Sequence, residues 1–240
     1  MSMFPQSDVK QLDYGYADTG ERSRLVSRFF NQVYLWMAIG MMWTAVVSAS
    51  FAYLPALRPF VTPGLGMIAL LGAFAVSWVT GSAALRMGLG AGIALFMLYA
   101  TLIGFAIAPI WIVYKQATIG SAFLLTGGIF FVMSLIGFVT KIDLTKVGSI
   151  AAMIAIGLFV GSIVNYFIAS SAISWFITYA VVIVFPILIA YQTQSLKEFA
   201  LENGENGDLV NRMAIVGALT LYIAFLNIFL SLLRILGDRK

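Results

Sequence analysis

The chain alternates between long apolar stretches and short clusters of charge and turn residues. Seven stretches contain no Asp, Glu, Lys or Arg: Phe29–Leu54, Leu65–Leu85, Met87–Ala108, Thr118–Thr140, Val147–Ala169, Ile173–Gln194 and Met213–Leu233. Each is close to the roughly 20 residues a helix needs to cross a bilayer core. None shows the period-two alternation of an outer-membrane barrel strand, so each predicts a helix. A helix also satisfies its own backbone groups in lipid. The breaks carry their own punctuation. Pro55, Arg58, Pro59 and Pro63 end the first stretch, because proline supplies no amide donor. Arg86 with Gly88, then Pro109 with Lys115, mark the next two breaks. Lys141 to Lys146 mark the fourth, with Asp143 predicted as the N-cap of the fifth helix. Ser170 and Ser171 make a very short fifth connection. Ser195 to Arg212, containing Asn203-Gly-Glu-Asn-Gly-Asp208, are predicted as the longest loop. No internal repeat stands out that would point to inverted-repeat transport architecture.

Composition sharpens this reading. Of 240 residues, 61% are hydrophobic and 10% charged, against about 45–50% and about 25% in soluble domains. A water-soluble globular enzyme is excluded. The predicted fold class is an all-α integral membrane protein with seven transmembrane helices. Residues 1–28 are predicted as a polar N-terminal tail, 29–236 as the membrane domain and 237–240 as a short C-terminal tail. The first 28 residues lack the pattern of a cleaved signal peptide. Glu21 to Tyr34 also reads as the start of an amphipathic helix, with arginines at the headgroups and Leu25, Phe29 and Phe30 dipping inward.

Charge sets the expected orientation. The net charge of +4 fits basic loops at a membrane surface better than a nucleic-acid partner. With the N-terminus cytoplasmic, the inside holds Lys10, Arg22, Arg24, Arg28, Arg86, Lys141, Lys146, Lys197 and Arg212, while the outer connections hold Arg58 and Lys115. An odd span count then places Arg234, Arg239 and Lys240 outside, against the trend.

The available chemistry is narrow. The chain has no His and no Cys, which removes imidazole acid–base catalysis, His or thiolate metal sites and disulfides. All ten acidic residues lie outside the seven stretches, so no carboxylate relay can be built within the bilayer. A charged side chain there would cost about 2.5–3.5 kcal/mol and would mark function. What remains is neutral and polar. Thr220, Ala224, Asn227 and Ser231 share one face of the last helix, at spacings of four, three and four. Gly157, Gly161 and Asn165 form a stripe on the fifth, with Gly157 and Gly161 in a GxxxG pattern. Such residues either pack helices together or line a polar pathway of amides and hydroxyls; Asn165, Thr220, Asn227 and Ser231 are the candidates for such a pathway.

Four segments together carry a family resemblance. They are Met133-Ser-Leu-Ile-Gly-Phe-Val-Thr-Lys-Ile-Asp-Leu-Thr145, Ser162-Ile-Val-Asn-Tyr-Phe167, Ala190-Tyr-Gln-Thr-Gln-Ser-Leu-Lys197, and Gly217-Ala-Leu-Thr-Leu-Tyr222 continuing to Asn227-Ile-Phe229. Over residues 25 to 237 the chain resembles the Bax inhibitor-1 family of transmembrane Bax inhibitor motif proteins, in its bacterial branch. The resemblance implies seven helices with the last one central and wrapped by the other six. It also implies a pH-sensitive calcium leak in some members and, in one bacterial subgroup, modulation of a membrane-bound ATP-dependent protease. The family's proton sensing uses two facing aspartates, one in a Tyr-Asp-Thr motif late in the sixth span, the other in the last span before Asn-Leu-Phe. Here Tyr191-Gln192-Thr193 carries Gln at the first of these positions and Ala224 stands at the second. Gln192 hydrogen-bonds but does not titrate; Ala224 does neither.

The expected function is therefore a calcium or other cation leak channel without the family's di-aspartate latch. The alternative is a regulatory protein that engages a membrane protease complex. Neither is an enzyme, and neither needs a cofactor. The expected location is the bacterial inner membrane, with lipid bilayer and calcium ions as partners and no nucleic acid.

Overall fold

The structure, a computed structural model, describes residues 6–237. Its helices are α1 (Gln6–Tyr53), α2 (Pro63–Met87), α3 (Leu89–Ile107), the short α4 (Ile110–Val113), α5 (Gln116–Val139), α6 (Thr145–Ile168), α7 (Ser171–Asn203) and α8 (Gly207–Leu236). No strand occurs among the described residues. Seven helical segments are long and apolar enough to cross a membrane, α3 and α4 together making one of them. This is a seven-helix membrane protein.

Local chemistry explains several boundaries. Pro63 opens α2, where a missing amide costs nothing, and the Thr62 hydroxyl accepts from the Leu65 amide at 3.4 Å. Ser170 caps α7 in the same way through Ile173, and the Asn206 side chain caps α8 through the Leu209 amide at 3.2 Å. Asp208 in the first turn of α8 adds a favourable charge near the helix N-terminus and pairs with Arg212 at 2.6 Å.

Two connections differ from the sequence expectation. The predicted loop from Ser195 to Arg212 shrinks to residues 204–206, because α7 continues to Asn203 and α8 starts at Gly207. Residues 196–202 (Leu-Lys-Glu-Phe-Ala-Leu-Glu) are mostly strong helix formers, so the helix outlasts its apolar stretch and breaks at the Asn-Gly turn. Asp143 also sits one residue too early to be the N-cap. Leu144 holds that position, while the Asp143 carboxylate accepts from the Thr145 amide at 2.8 Å.

That contact has a pH signature. Hydrogen bonds from Thr145, then the charge of Lys146, hold the exposed Asp143 carboxyl below its ordinary value. A lowered native pKa means the carboxylate supports the start of α6 above the unfolded value near about 3.9. The support disappears as pH falls through the lowered value. Hydrogen exchange at the Thr145 amide, corrected for intrinsic rates, is expected to be flat above about pH 5 and to lose protection below about pH 4. Asp143→Asn is expected to remove that transition. A midpoint above about pH 5 would contradict the assignment.

Burial is concentrated on α8. Two-thirds of its most apolar window (67%) is buried, against 33% or less for every other span. It packs against α1, α2, α3, α5 and α7, while α6 packs principally on α7. Tyr222, Leu221, Ile215 and Ile228 are fully enclosed. The outer helices turn large apolar side chains outward instead, among them Phe167, Leu124, Trp78 and Phe176. A soluble monomer rarely exposes such a belt; lipid is its natural solvent.

The glycines of the sequence motif do not make the close contacts. Gly157 has open space where a Cβ would stand, and Gly161 meets only a methyl of Ile177 at 3.8 Å. The tight sites are elsewhere. Gly40 faces the Phe96 ring, Gly137 the backbone of Ala190, and Gly148 the ring of Tyr191. Two glycines four apart allow close approach only where a neighbouring helix lies over that face.

Candidate functional site

The segment Ala190–Lys197 of α7 ties together α5, α6, the loop between them and α8. Ala190 presents its carbonyl to Gly137 of α5, and Tyr191 lays its ring on Gly148 of α6. Thr193, fully buried, lies 3.2 Å from the Ser134 hydroxyl of α5. These α5–α7 contacts are consecutive rungs: 137 with 190 and 134 with 193, one turn apart on antiparallel helices. Gln194 clamps the α5–α6 loop. Its Oε1 accepts from the Leu144 amide and its Nε2 donates to the Ile142 carbonyl, both at 2.8 Å. The Lys197 ammonium donates to the Phe138 carbonyl at 2.8 Å, one of the carbonyls left open at the end of α5.

Gln192 stands apart within this segment. It is half-buried, and its Oε1 is shielded from solvent without a hydrogen-bond partner. An acceptor in that state costs about 1–3 kcal/mol, and a native fold retains such a group for a reason. The α7–α8 register follows from the contact between Leu196 and Gly217, where a Cβ on Gly217 would come within 2.8 Å of a Leu196 methyl. Four residues back along α7 and four onward along α8 bring Gln192 level with Leu221, between Thr220 and Ala224. Ala224 is buried at 1% exposure.

The other polar candidates fall into two groups. Thr220 donates to the Gly217 carbonyl at 3.0 Å, and the Asn227 amide donates to the Ile223 carbonyl at 2.8 Å. Both bond back to their own helix. With Ser231 they are half-buried on one face of α8, a stripe about 16 Å long from Thr220 to Ser231. Asn165 lies away from this stripe, at the α6–α7 turn. Its amide donates to Ser174 Oγ at 2.7 Å and its Oδ1 accepts from the Ser170 amide at 3.1 Å. It ties a turn in which Ala169 adopts a left-handed conformation, with φ of 55°.

Two hydroxyl contacts were not singled out by the sequence. Tyr34 of α1 extends the Thr193–Ser134 pair with a 2.7 Å bond to the Ser134 hydroxyl. Tyr222 of α8 bonds Thr44 of α1, whose hydroxyl donates to the Ala100 carbonyl of α3 at 3.0 Å. The Thr44 hydrogen is thereby committed, so Tyr222 donates. The only available signal was a hydroxyl inside an apolar stretch, and nothing local says which helix it will meet. Tyr34 and Ser134 also line a groove of about 790 Å³ between α1, α5 and α7.

Around Gln192, Thr220, Asn227 and Ser231 the site thus offers neutral hydroxyl and amide oxygens, a donor set able to ligate a hard cation or water. No cluster of three or more His, Cys, Asp or Glu side chains occurs among the described residues.

Known proteins share this chain's pattern over nearly its whole length. Residues 26–240 match the family model described as inhibitor of apoptosis-promoting Bax1. The chain is 40% identical to inner membrane protein YbhL of Escherichia coli, with all of both chains covered. It is 37% identical to a protein of Deinococcus radiodurans, covering 89% of this chain and 92% of that one. A membrane protein of Streptococcus pyogenes is 33% identical, with 93% of this chain and 96% of the relative covered. Seven apolar helices, the match over residues 26–240 and full-length similarity to a bacterial inner membrane protein converge on one lineage: this chain belongs to the Bax inhibitor-1 family.

Proposed function

We propose that this protein is a cation leak channel, with calcium as the principal cargo, that operates without a proton-driven latch. The observation that carries the reading is the unpartnered, buried Oε1 of Gln192 at the position where the family places a carboxylate. Calcium is ligated by carbonyl, carboxylate and water oxygens, and an amide oxygen already stripped of other partners requires little rearrangement to join them. The half-buried stripe of Thr220, Asn227 and Ser231 continues from the level of Gln192 over about half the thickness of the hydrocarbon. Asn165 is bonded within its turn, so the reading leans on the α8 stripe. The two positions of the family's coupled carboxylates hold Gln192 and Ala224, so the pathway is expected to stay insensitive to protons. The inner membrane location of the Escherichia coli relative supports the same location here, with the basic N-terminal flank cytoplasmic.

Purified protein reconstituted into liposomes loaded with a calcium reporter tests this directly. Calcium entry is expected above that of empty liposomes and nearly constant between about pH 6 and 8, where the groups of this seam do not titrate. Entry no faster than in empty liposomes would sink the leak. A steep pH dependence surviving neutralisation of the exposed carboxylates would sink the missing latch.

A further inference from the structure

The groove between α1, α5 and α7 has a chemistry distinct from the α7–α8 seam. Its outer end carries Arg22 and Lys197. Lys197 is held in place by its bond to the Phe138 carbonyl and by the Phe138 ring 5.0 Å below its ammonium. One helix-bonded hydrogen leaves two N–H donors directed elsewhere. Below this basic end, Ser27 and Asn31 follow down the α1 wall. The α5 wall is apolar, and Phe131 and Leu135 are 68% and 51% exposed, so the groove opens sideways into the bilayer. Its floor is closed by the bonded pair of Tyr34 and Ser134.

The dimensions select the ligand. From Arg22 to Tyr34 the groove descends twelve residues of α1, about 18 Å. One leaflet's share of the hydrocarbon is about 15 Å. Basic groups at the water end, polar hydroxyl and amide groups beneath them and an apolar, laterally open wall reproduce the order of phosphate, glycerol backbone and acyl chain. We propose that this groove is a binding site for a single anionic phospholipid, its phosphate held by Arg22 and Lys197 and one acyl chain lying against Phe131 and Leu135. The occupant comes from the leaflet on the side where α1 enters and α7 leaves the membrane.

Lipid retention is read without any flux, so this site and cation conduction stand or fall separately. The full chain in detergent is given equal amounts of phosphatidylglycerol and phosphatidylcholine with identical acyl chains. It is then exchanged into fresh detergent and weighed by native mass spectrometry. One phosphatidylglycerol per chain is expected, preferred over phosphatidylcholine by about 25-fold, since each basic side chain at the surface contributes about fivefold. Arg22→Gln is expected to lower the preference about fivefold, and Ser27→Trp, which fills the groove and leaves its charges, to abolish retention of both lipids. Arg86→Gln, an equal loss of charge outside the groove, is expected to change neither. Lys197→Gln also uncaps α5, so Arg22→Gln and Ser27→Trp decide the matter if that variant does not fold. Equal retention of the two lipids by the unaltered protein would overturn the site. So would retention unchanged by Ser27→Trp, or displacement of the lipid by inorganic phosphate alone, which would reduce the site to a simple anion contact.

Discussion

Gly137→Ala is expected to destabilise the protein by about 3 kcal/mol, the upper end of the usual cost of adding a methyl to a packed interface. The added Cβ would overlap the backbone of Ala190, and a backbone cannot rotate aside as a side chain does. Helices α5 and α7 would have to separate. The next rung, where Ser134 and Thr193 are already 3.2 Å apart, would then lose its hydrogen bond. Against this stands a gain in helix propensity of about 1 kcal/mol, too small to reverse the sign. Gly148→Ala meets Tyr191 first at Cγ, an atom that turning the ring leaves in place, so the side chain must move as a whole and a loss of about 2 kcal/mol is expected. Gly157→Ala meets nothing within 4 Å and is expected to gain about 0.4–1 kcal/mol. Thermal unfolding of the three variants in one detergent gives the ranking. If Gly137→Ala and Gly157→Ala melt together, the α5–α7 contact is not as close as described.

Introducing two carboxylates, by Gln192→Asp with Ala224→Asp, is expected to give calcium flux a steep dependence on pH. Two carboxyls within about one turn of each other on adjacent helices titrate as a pair, and burial with like charge raises one of their pKa values toward neutrality. A single proton-controlled step changes by up to about tenfold per pH unit, whereas the unaltered protein is expected to be flat. Each single substitution separates the roles. Gln192→Asp alone leaves a carboxylate without its partner, and Ala224→Asp alone sets a carboxylate about one turn from the level of the Gln192 amide. Both are expected to shift the magnitude of flux more than its pH profile. A flat profile for the double variant, with the protein folded and conducting, would show that the two positions do not face a common route.

How much was readable in advance differs from element to element. The seven helices, their order and most of their ends follow from runs of apolar residues interrupted by proline, glycine and charge, because a bilayer imposes one length and one solvent on every span. The α7–α8 connection is shorter than the charge pattern predicts, since the end of an apolar stretch is not the end of a helix. Residues 196–202 favour helix in water as well as in lipid. The GxxxG pattern at Gly157 was misleading for a related reason: it reports that a close approach is permitted, and only a neighbouring backbone makes use of it.

The candidate site shows the same division. The neutral identities of Gln192 and Ala224, and the absence of titrating groups from the seam, are properties of the sequence alone, since a residue's ionisable chemistry goes wherever its chain goes. Proximity is different in kind. Asn165 shares with Asn227 and Ser231 a polar side chain in an apolar stretch, yet it closes a turn with Ser170 and Ser174, while Tyr34, Ser134 and Thr193 meet across 159 positions of chain. Residues that share one helix face obey a fixed period and can be read directly. Residues on different helices meet according to rotation, register and spacing, quantities set by which small side chains allow backbones to touch. For this protein the sequence alone determined a seven-helix membrane chain with a neutral interior. That the amide oxygens of Gln32 and Gln192 are left without partners, and which groove opens toward lipid, was decided only when the helices packed.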